Sequence, residues 1–98
     1  MDALLNKEGA KLTVAVNGRV DTTTAPELDK AISENLDGVE ELVLDLKDMP
    51  YTSSAGLRVI LKAQKTMSAK GGMKVINVCS DVMEIFEMTG FSDILNIE

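Results

Sequence analysis

Residues 11–17 alternate apolar side chains with polar or small ones, the period of two that is typical of a half-buried β-strand. One leucine and two valines share a face of this segment, and the turn pair Asn17-Gly18 ends it. The preceding residues 3–7 are compatible with a short edge strand. The pattern therefore predicts two consecutive strands that can pair antiparallel.

A first helix is predicted after these strands. Thr24 and Glu27 have the spacing of a capping box, and a proline between them is tolerated in the first helical turn. Apolar residues then recur at helical spacing, and Asp37-Gly38 closes the segment.

Two more helices follow at regular intervals. Residues 54–69 carry a wide apolar stripe, which predicts a helix that is well buried along one side. Ser80 is expected to cap a third helix, and Gly90 to stop it.

Apolar strand segments at residues 41–46, 73–78 and 94–97 complete the pattern, with the order β-β-α-β-α-β-α-β. Helices that alternate with strands imply parallel neighbours joined by helical crossovers. We therefore predict an α/β fold, a single domain over residues 1–98 with a four- to five-stranded mixed sheet and helices packed on it. Its core is expected to include Leu44, Leu46, Leu57, Ile60 and Leu61.

Charge and composition exclude several classes of partner. The 98 residues include 16 acidic and 10 basic side chains, a net charge of −6, whereas duplex-binding proteins and proteins bound to anionic membranes carry the opposite excess. Cys79 is the only cysteine, and no signal peptide or long apolar run is present. We expect a cytoplasmic protein, monomeric when free, that binds neither nucleic acid nor membrane.

The chain contains no histidine, which removes Ser-His and Cys-His catalysis and the usual zinc sites. A serine–aspartate pair alone is a poor nucleophilic combination. Asp45 and Asp48 are two carboxylates without further ligands. We therefore expect no metal, no cofactor and no enzymatic activity.

The most informative stretch is DLKDMPYTSSAGLRVIL at residues 45–61, which passes from a strand through a short loop to a helix start. A serine at that position accepts a hydrogen bond from a free amide, worth about 1 kcal/mol. Capping explains one hydroxyl, but Ser53 and Ser54 are adjacent. Gly56 in the first turn costs about 1 kcal/mol relative to alanine, which indicates that another part of the backbone approaches closely.

Phosphorylation is the functional alternative to capping. The unpaired N–H groups and the positive dipole end of a helix N-terminus stabilise a dianion. A phosphoserine there leaves its own helix intact and places nearly two negative charges on the surface. Spacing alone leaves both interpretations open.

The same stretch closely resembles the signature of STAS-domain anti-sigma factor antagonists, a hydrophobic strand followed by a [D/S]-S-[S/T/A]-G-L element that opens a helix. The earlier NGRVDTTTAPEL resembles the family's G-x-[L/V]-D element and the helix after it. The later GGMKVINVCSDVMEIFEMTGF resembles the family's G-G-x-[L/V] strand and its [L/I]-F-x-x-[S/T]-G-[L/F] helix end. The matches occur in the family's order and span most of the chain.

This resemblance implies a regulatory role. Such proteins bind an anti-sigma factor, often a GHKL-type serine kinase, and so release a sigma factor; phosphorylation ends the association and a metal-dependent serine phosphatase reverses it. The family's phosphorylated serine falls on Ser54, with Ser53 as the alternate. The resemblance also implies a partner-binding surface made of Asp21, Thr22, Thr23, Tyr51, Thr52, Ser53, Ala55, Gly56 and Arg58.

Other functions stay open at this stage. The domain could be a non-phosphorylated STAS scaffold or interaction subunit of a transporter or stress-signalling complex, in which Ser54 is only a cap. A small serine/aspartate enzyme would use Ser54 with Asp21, although Asp21 is rather expected to orient the serine hydroxyl or the approach of the kinase. The stripe of Arg58, Lys62 and Lys65 is either a solvated helix face or a docking surface.

Overall fold

A computed structural model describes all of residues 1–98. It contains four strands and three α-helices in the order predicted, followed by a short 3-10 helix at Phe91–Asp93. The elements are β1 (Asp2–Glu8), β2 (Lys11–Asn17), α1 (Ala25–Ser33), β3 (Glu41–Asp48), α2 (Ser54–Ser68), β4 (Met73–Ile76) and α3 (Ser80–Thr89).

The strands form one mixed sheet in the order β1-β2-β3-β4. β1 and β2 pair antiparallel as a hairpin, whereas β2, β3 and β4 are parallel neighbours. The predicted α/β fold and mixed sheet are therefore confirmed, with four strands. Because β2 and β3 run parallel, their carboxyl ends lie at the same end of the sheet. The loops that follow these two strands therefore lie side by side.

One face of the sheet packs against the helices in a single aliphatic core. Every second residue of the central strands points into it, together with the buried stripes of all three helices. Leu44, Leu46, Leu57 and Ile60 are buried as predicted. Leu61 is only half-buried, because the buried stripe of α2 is narrower than predicted and this residue lies on its flank.

The C-terminal strand predicted at residues 94–97 is wrong. The chain forms a 3-10 turn at Phe91–Asp93, and Ile97 then makes a single parallel bridge to Val75. β4 is also shorter than predicted, because Asn77 has a φ of 57°, a left-handed conformation that interrupts an extended strand.

The capping predictions for two helices are wrong as well. Thr24 is the N-cap residue of α1, but its hydroxyl accepts the Asp21 N–H at 2.8 Å and donates to the Arg19 carbonyl at 3.0 Å, so no capping box forms. In α3 the N-cap residue is Cys79, and Ser80 is the first helical residue.

No helix combines the length and the apolar character needed to cross a lipid bilayer.

Candidate functional site

The loops that follow β2 and β3 are joined by backbone hydrogen bonds. The Gly18 N–H donates to the Asp48 carbonyl at 2.9 Å, and the Val20 N–H donates to the Tyr51 carbonyl at 3.0 Å. The Ser53 N–H then donates to the Val20 carbonyl at 2.9 Å. These bonds fix the segment that leads into α2.

α2 begins at Ser54, as predicted, and Ser54 is exposed. Ser53 is the N-cap residue in an extended conformation, but its hydroxyl makes no capping bond and its Oγ is buried without a partner. The first bonded amide of the helix is that of Leu57, which donates to the Ser53 carbonyl at 3.0 Å. The N–H groups of Ser54, Ala55 and Gly56 therefore have no acceptor within the chain.

Gly56 is buried where α2 meets the two loops. A Cβ at this position would overlap the Thr52 Oγ1 and lie 2.8 Å from the Val20 Cγ1. The prediction that another part of the backbone approaches this glycine is wrong, because the groups that approach it are the side chains of Thr52 and Val20. Thr52 and Gly56 both lie beneath the surface, so they support the loop that carries the exposed residues.

Asp21 organises the loop before α1. Its Oδ1 accepts the Thr23 hydroxyl at 2.7 Å, the Thr23 N–H at 3.0 Å and the Thr24 N–H at 3.1 Å. The Thr23 hydroxyl, followed by the Thr24 N–H, lowers the pKa of Asp21 from 3.8 to about 2. Asp21 makes no hydrogen bond with Ser54, so the structure gives it a loop-shaping role, and its part in the approach of a kinase stays a prediction.

Arg19 is a residue of this surface that sequence reasoning missed. Its guanidinium carbon lies 4.8 Å from the ring centroid of Tyr51, a cation–π contact. Tyr51 remains 41% exposed, and Thr22 and Thr23 are exposed beside it along the same loop pair. Arg19 occupies the variable position of the G-x-[L/V]-D element, so the motif could not single it out.

The basic residues of α2 do not form one continuous free stripe. Lys62 pairs with Asp29 of α1 at 3.2 Å, whereas Arg58 and Lys65 are exposed and make no ion pair. Arg58 lies one helical turn after Ser54, so it is the cation of this stripe that belongs to the site.

Of the two carboxylates near the loop, Asp45 has structural partners. The Asp45 Oδ1 accepts the Lys47 N–H at 3.0 Å and the Asn77 Nδ2 at 3.1 Å, which ties the end of β3 to the residue after β4. No group of three or more potential ligand side chains is placed to hold a metal ion.

The family model of the STAS domain matches residues 3–98. The chain therefore belongs to the STAS domain family.

Within the STAS domain family, the chain is similar to anti-sigma factor antagonists. The chain is 31% identical to BtrV of Bordetella bronchiseptica, which is named as an anti-sigma factor antagonist, over 99% of this chain and 85% of that protein. It is 29% identical to the anti-sigma-B factor antagonist of Bacillus subtilis, over 99% of this chain and 88% of that protein. The solved structure of the Bacillus cell fate determinant SpoIIAA in its phosphorylated form has the same fold, with a TM-score of 0.77 and 14% identity over 99% of this chain and 91% of that one.

Gly56→Ala tests the packing beneath the site. The added methyl group must displace Thr52 and Val20, which costs about 1–3 kcal/mol and outweighs the gain of about 1 kcal/mol in helix propensity. We expect urea denaturation to show a destabilised variant. Lys65→Ala on the exposed face of the same helix is the control and should stay within about 0.5 kcal/mol of the parent chain. A Gly56→Ala variant as stable as the parent would contradict this packing.

Asp21→Asn tests the loop before α1. Since the folded pKa of about 2 lies below the ordinary value of 3.8, ionised Asp21 stabilises the fold above pH 4, and that contribution is lost as the pH falls toward 2. We expect the variant to have a lower urea midpoint at pH 7, and the gap to close between pH 4 and pH 2. Asp37→Asn, an exposed carboxylate that accepts no hydrogen bond, is the control. A gap that does not change with pH would show that the charge of Asp21 contributes nothing.

Proposed function

We propose that this chain is an anti-sigma factor antagonist that binds an anti-sigma factor and is switched off by phosphorylation of Ser54. The observation that carries the proposal is the start of α2, where an exposed serine stands beside three amides that have no partner in the chain. The names of its relatives support the same class of function.

The binding surface is the exposed part of the two joined loops and the first turn of α2. Thr22, Thr23 and Tyr51 contribute from the loops, and Arg58 and the half-buried Ala55 from the helix. Thr52 and Gly56 keep this surface in place from below.

The partner is an anti-sigma factor of the GHKL serine kinase type, and a metal-dependent serine phosphatase resets the switch in the cytoplasm. A kinase needs direct access to the accepting hydroxyl, and Ser54 is exposed at the start of α2. The half-buried Ser53 is the less accessible alternate, since its Oγ lies beneath the surface.

Phosphorylation acts on the partner through charge. The three free amides and the helix dipole accommodate a dianion without loss of helical structure. At the interface the same dianion has to be desolvated against the partner, which weakens binding. The unmodified chain thus binds, and the modified chain dissociates.

The site does not favour catalysis by this chain. The Ser54 hydroxyl makes no hydrogen bond to a carboxylate, and the chain has no histidine to act as a base. We therefore assign Ser54 as the acceptor of a phosphate rather than as a nucleophile. In a non-phosphorylated scaffold this hydroxyl would have no role, since it caps nothing.

Ser54 variants test the switch directly. Ser54→Ala loses no hydrogen bond, so it should fold and keep its affinity for the cognate anti-sigma kinase, yet accept no phosphate. Ser54→Asp should fold, since an acid at a helix start is favourable, but bind about 2–5 kcal/mol more weakly because a charge is buried at the interface. The phosphorylated chain should bind more weakly still.

Isothermal titration calorimetry of these forms against the kinase measures the effect, with Thr66→Asp, which adds the same charge at an exposed position of α2 about three helical turns from Ser54, as the matched control. Circular dichroism establishes that each variant is folded. Equal affinities for the parent, Ser54→Asp and phosphorylated chains would rule out Ser54 as the switch.

A further inference from the structure

β1 presents a strand edge whose centre is uncharged, although Asp2, Lys7 and Glu8 lie toward its ends. Leu4 and Leu5 in this strand are 63% and 43% exposed. The segment from Ala3 to Asn6 contains neither proline nor charge, and the pairing with β2 runs through seven residue pairs without a bulge. Proline, charge and bulges are the usual devices that stop edge strands from pairing with another chain, and the centre of β1 lacks all of them.

The opposite edge of the sheet is occupied. The Val75 N–H of β4 donates to the Asn96 carbonyl at 2.9 Å, and the Val75 carbonyl accepts the Glu98 N–H at 2.9 Å. The C-terminal segment thus covers the outer side of β4, and β1 remains as the long free edge.

The hairpin defines which backbone groups of β1 are free. Gly9 and Ala10 form a two-residue loop, with Gly9 at a φ of 60°, so Glu8 and Lys11 are the closing hydrogen-bonded pair. Because bonded and non-bonded positions alternate, the even-numbered residues of β1 bond to β2. The odd-numbered residues direct their N–H and C=O groups outward, where nothing pairs with them.

We propose that this edge is an interface between two copies of this chain, whose β1 strands pair antiparallel about a two-fold axis at Leu4. This axis is perpendicular to the sheet, so each face of one sheet continues as the same face of the other. Even-numbered residues of one β1 therefore lie opposite even-numbered residues of the other, and odd-numbered residues lie opposite odd-numbered ones. With Leu4 opposite Leu4 of the second copy, the outward groups of Ala3 meet those of Leu5, and Asp2 lies opposite Asn6.

The neighbouring registers are less favourable. An axis at Leu5 would place Asp2 opposite Glu8, a pair of like charges directly across the strands. An axis at Ala3 would place the apolar Leu4 opposite Asp2. The Leu4 register is the one that buries leucine against apolar residues and opposes no like charges.

This dimer departs from the monomer expected from the sequence, and it is independent of the switch. The amino end of β1 lies beside the carboxyl end of β2, as the pairing of Asp2 with Asn17 shows. An antiparallel pair of β1 strands therefore places the two Ser54 surfaces at opposite ends of an eight-stranded sheet, where both remain accessible. The interface is one strand wide and belongs to the small, transient class, below about 1,000 Å² in total.

Sedimentation equilibrium of the full chain tests the association. We expect the weight-average mass to rise from one chain toward two as the concentration approaches about 1 mM, the range of weak complexes. Leu4→Lys places two lysines at the axis and should hold the mass at one chain. Ile94→Lys, at another exposed apolar residue outside the edge, is the matched control and should still dimerise. A parent chain whose weight-average mass stays at that of one chain overturns the proposal. This holds even if the β1 edge pairs with a strand of another protein instead.

Disulfide trapping tests the register in a Cys79→Ser background. Leu4→Cys should cross-link under mild oxidation, because facing residues at a non-hydrogen-bonded antiparallel position have Cα atoms about 4.5 Å apart. Asn6→Cys should not, since the two copies of that residue lie about 14 Å apart along the strands. Equal cross-linking of both variants, or none in Leu4→Cys, overturns the proposed register.

Discussion

The backbone of Val20 holds the two halves of the site together. Its N–H and carbonyl bond to Tyr51 and Ser53, on either side of the buried Thr52. Its side chain also packs where Gly56 leaves room at the start of α2. The loop after β2, the loop after β3 and the first turn of α2 are therefore joined into one unit by backbone hydrogen bonds and packing.

A hydrogen-bonded unit of this kind suits a switch that works through charge. Because three amides at the start of α2 are free, the helix can accept a phosphate on Ser54 without rearranging its own hydrogen bonds. In the proposed switch, the partner then meets a dianion where it had met a hydroxyl. The proposed function does not require Tyr51 or its contact with Arg19 to move for the interaction to end.

Much of this could be predicted from periodicity and from the family resemblance. The alternation of residues 11–17 and the helical stripe that begins near Ser54 depend on burial along single elements, so the pattern is local. The predicted capping box at Thr24 was wrong, because the Thr24 hydroxyl instead bonds to the backbone N–H of Asp21 and the backbone carbonyl of Arg19.

Features that depend on tertiary contact could not be predicted. The contact of Arg19 with Tyr51 joins two loops that are distant in the chain and carries no local pattern. The prediction of a last strand was wrong. Residues 94–97 are apolar enough for a strand, but after the turn at Phe91–Asp93 they form only one bridge, between Ile97 and Val75. The free edge of β1 likewise became visible only once the strand order was known.

The most direct test of the central claim is to locate the phosphate. The parent chain, Ser54→Ala and Ser53→Ala would each be incubated with ATP, magnesium and the anti-sigma kinase of the same organism, and then mapped by tandem mass spectrometry. We predict one phosphate on Ser54 in the parent and in Ser53→Ala, and none in Ser54→Ala. A phosphate on Ser53, or an unmodified parent chain in the presence of active kinase, would contradict the assignment of Ser54 as the switch.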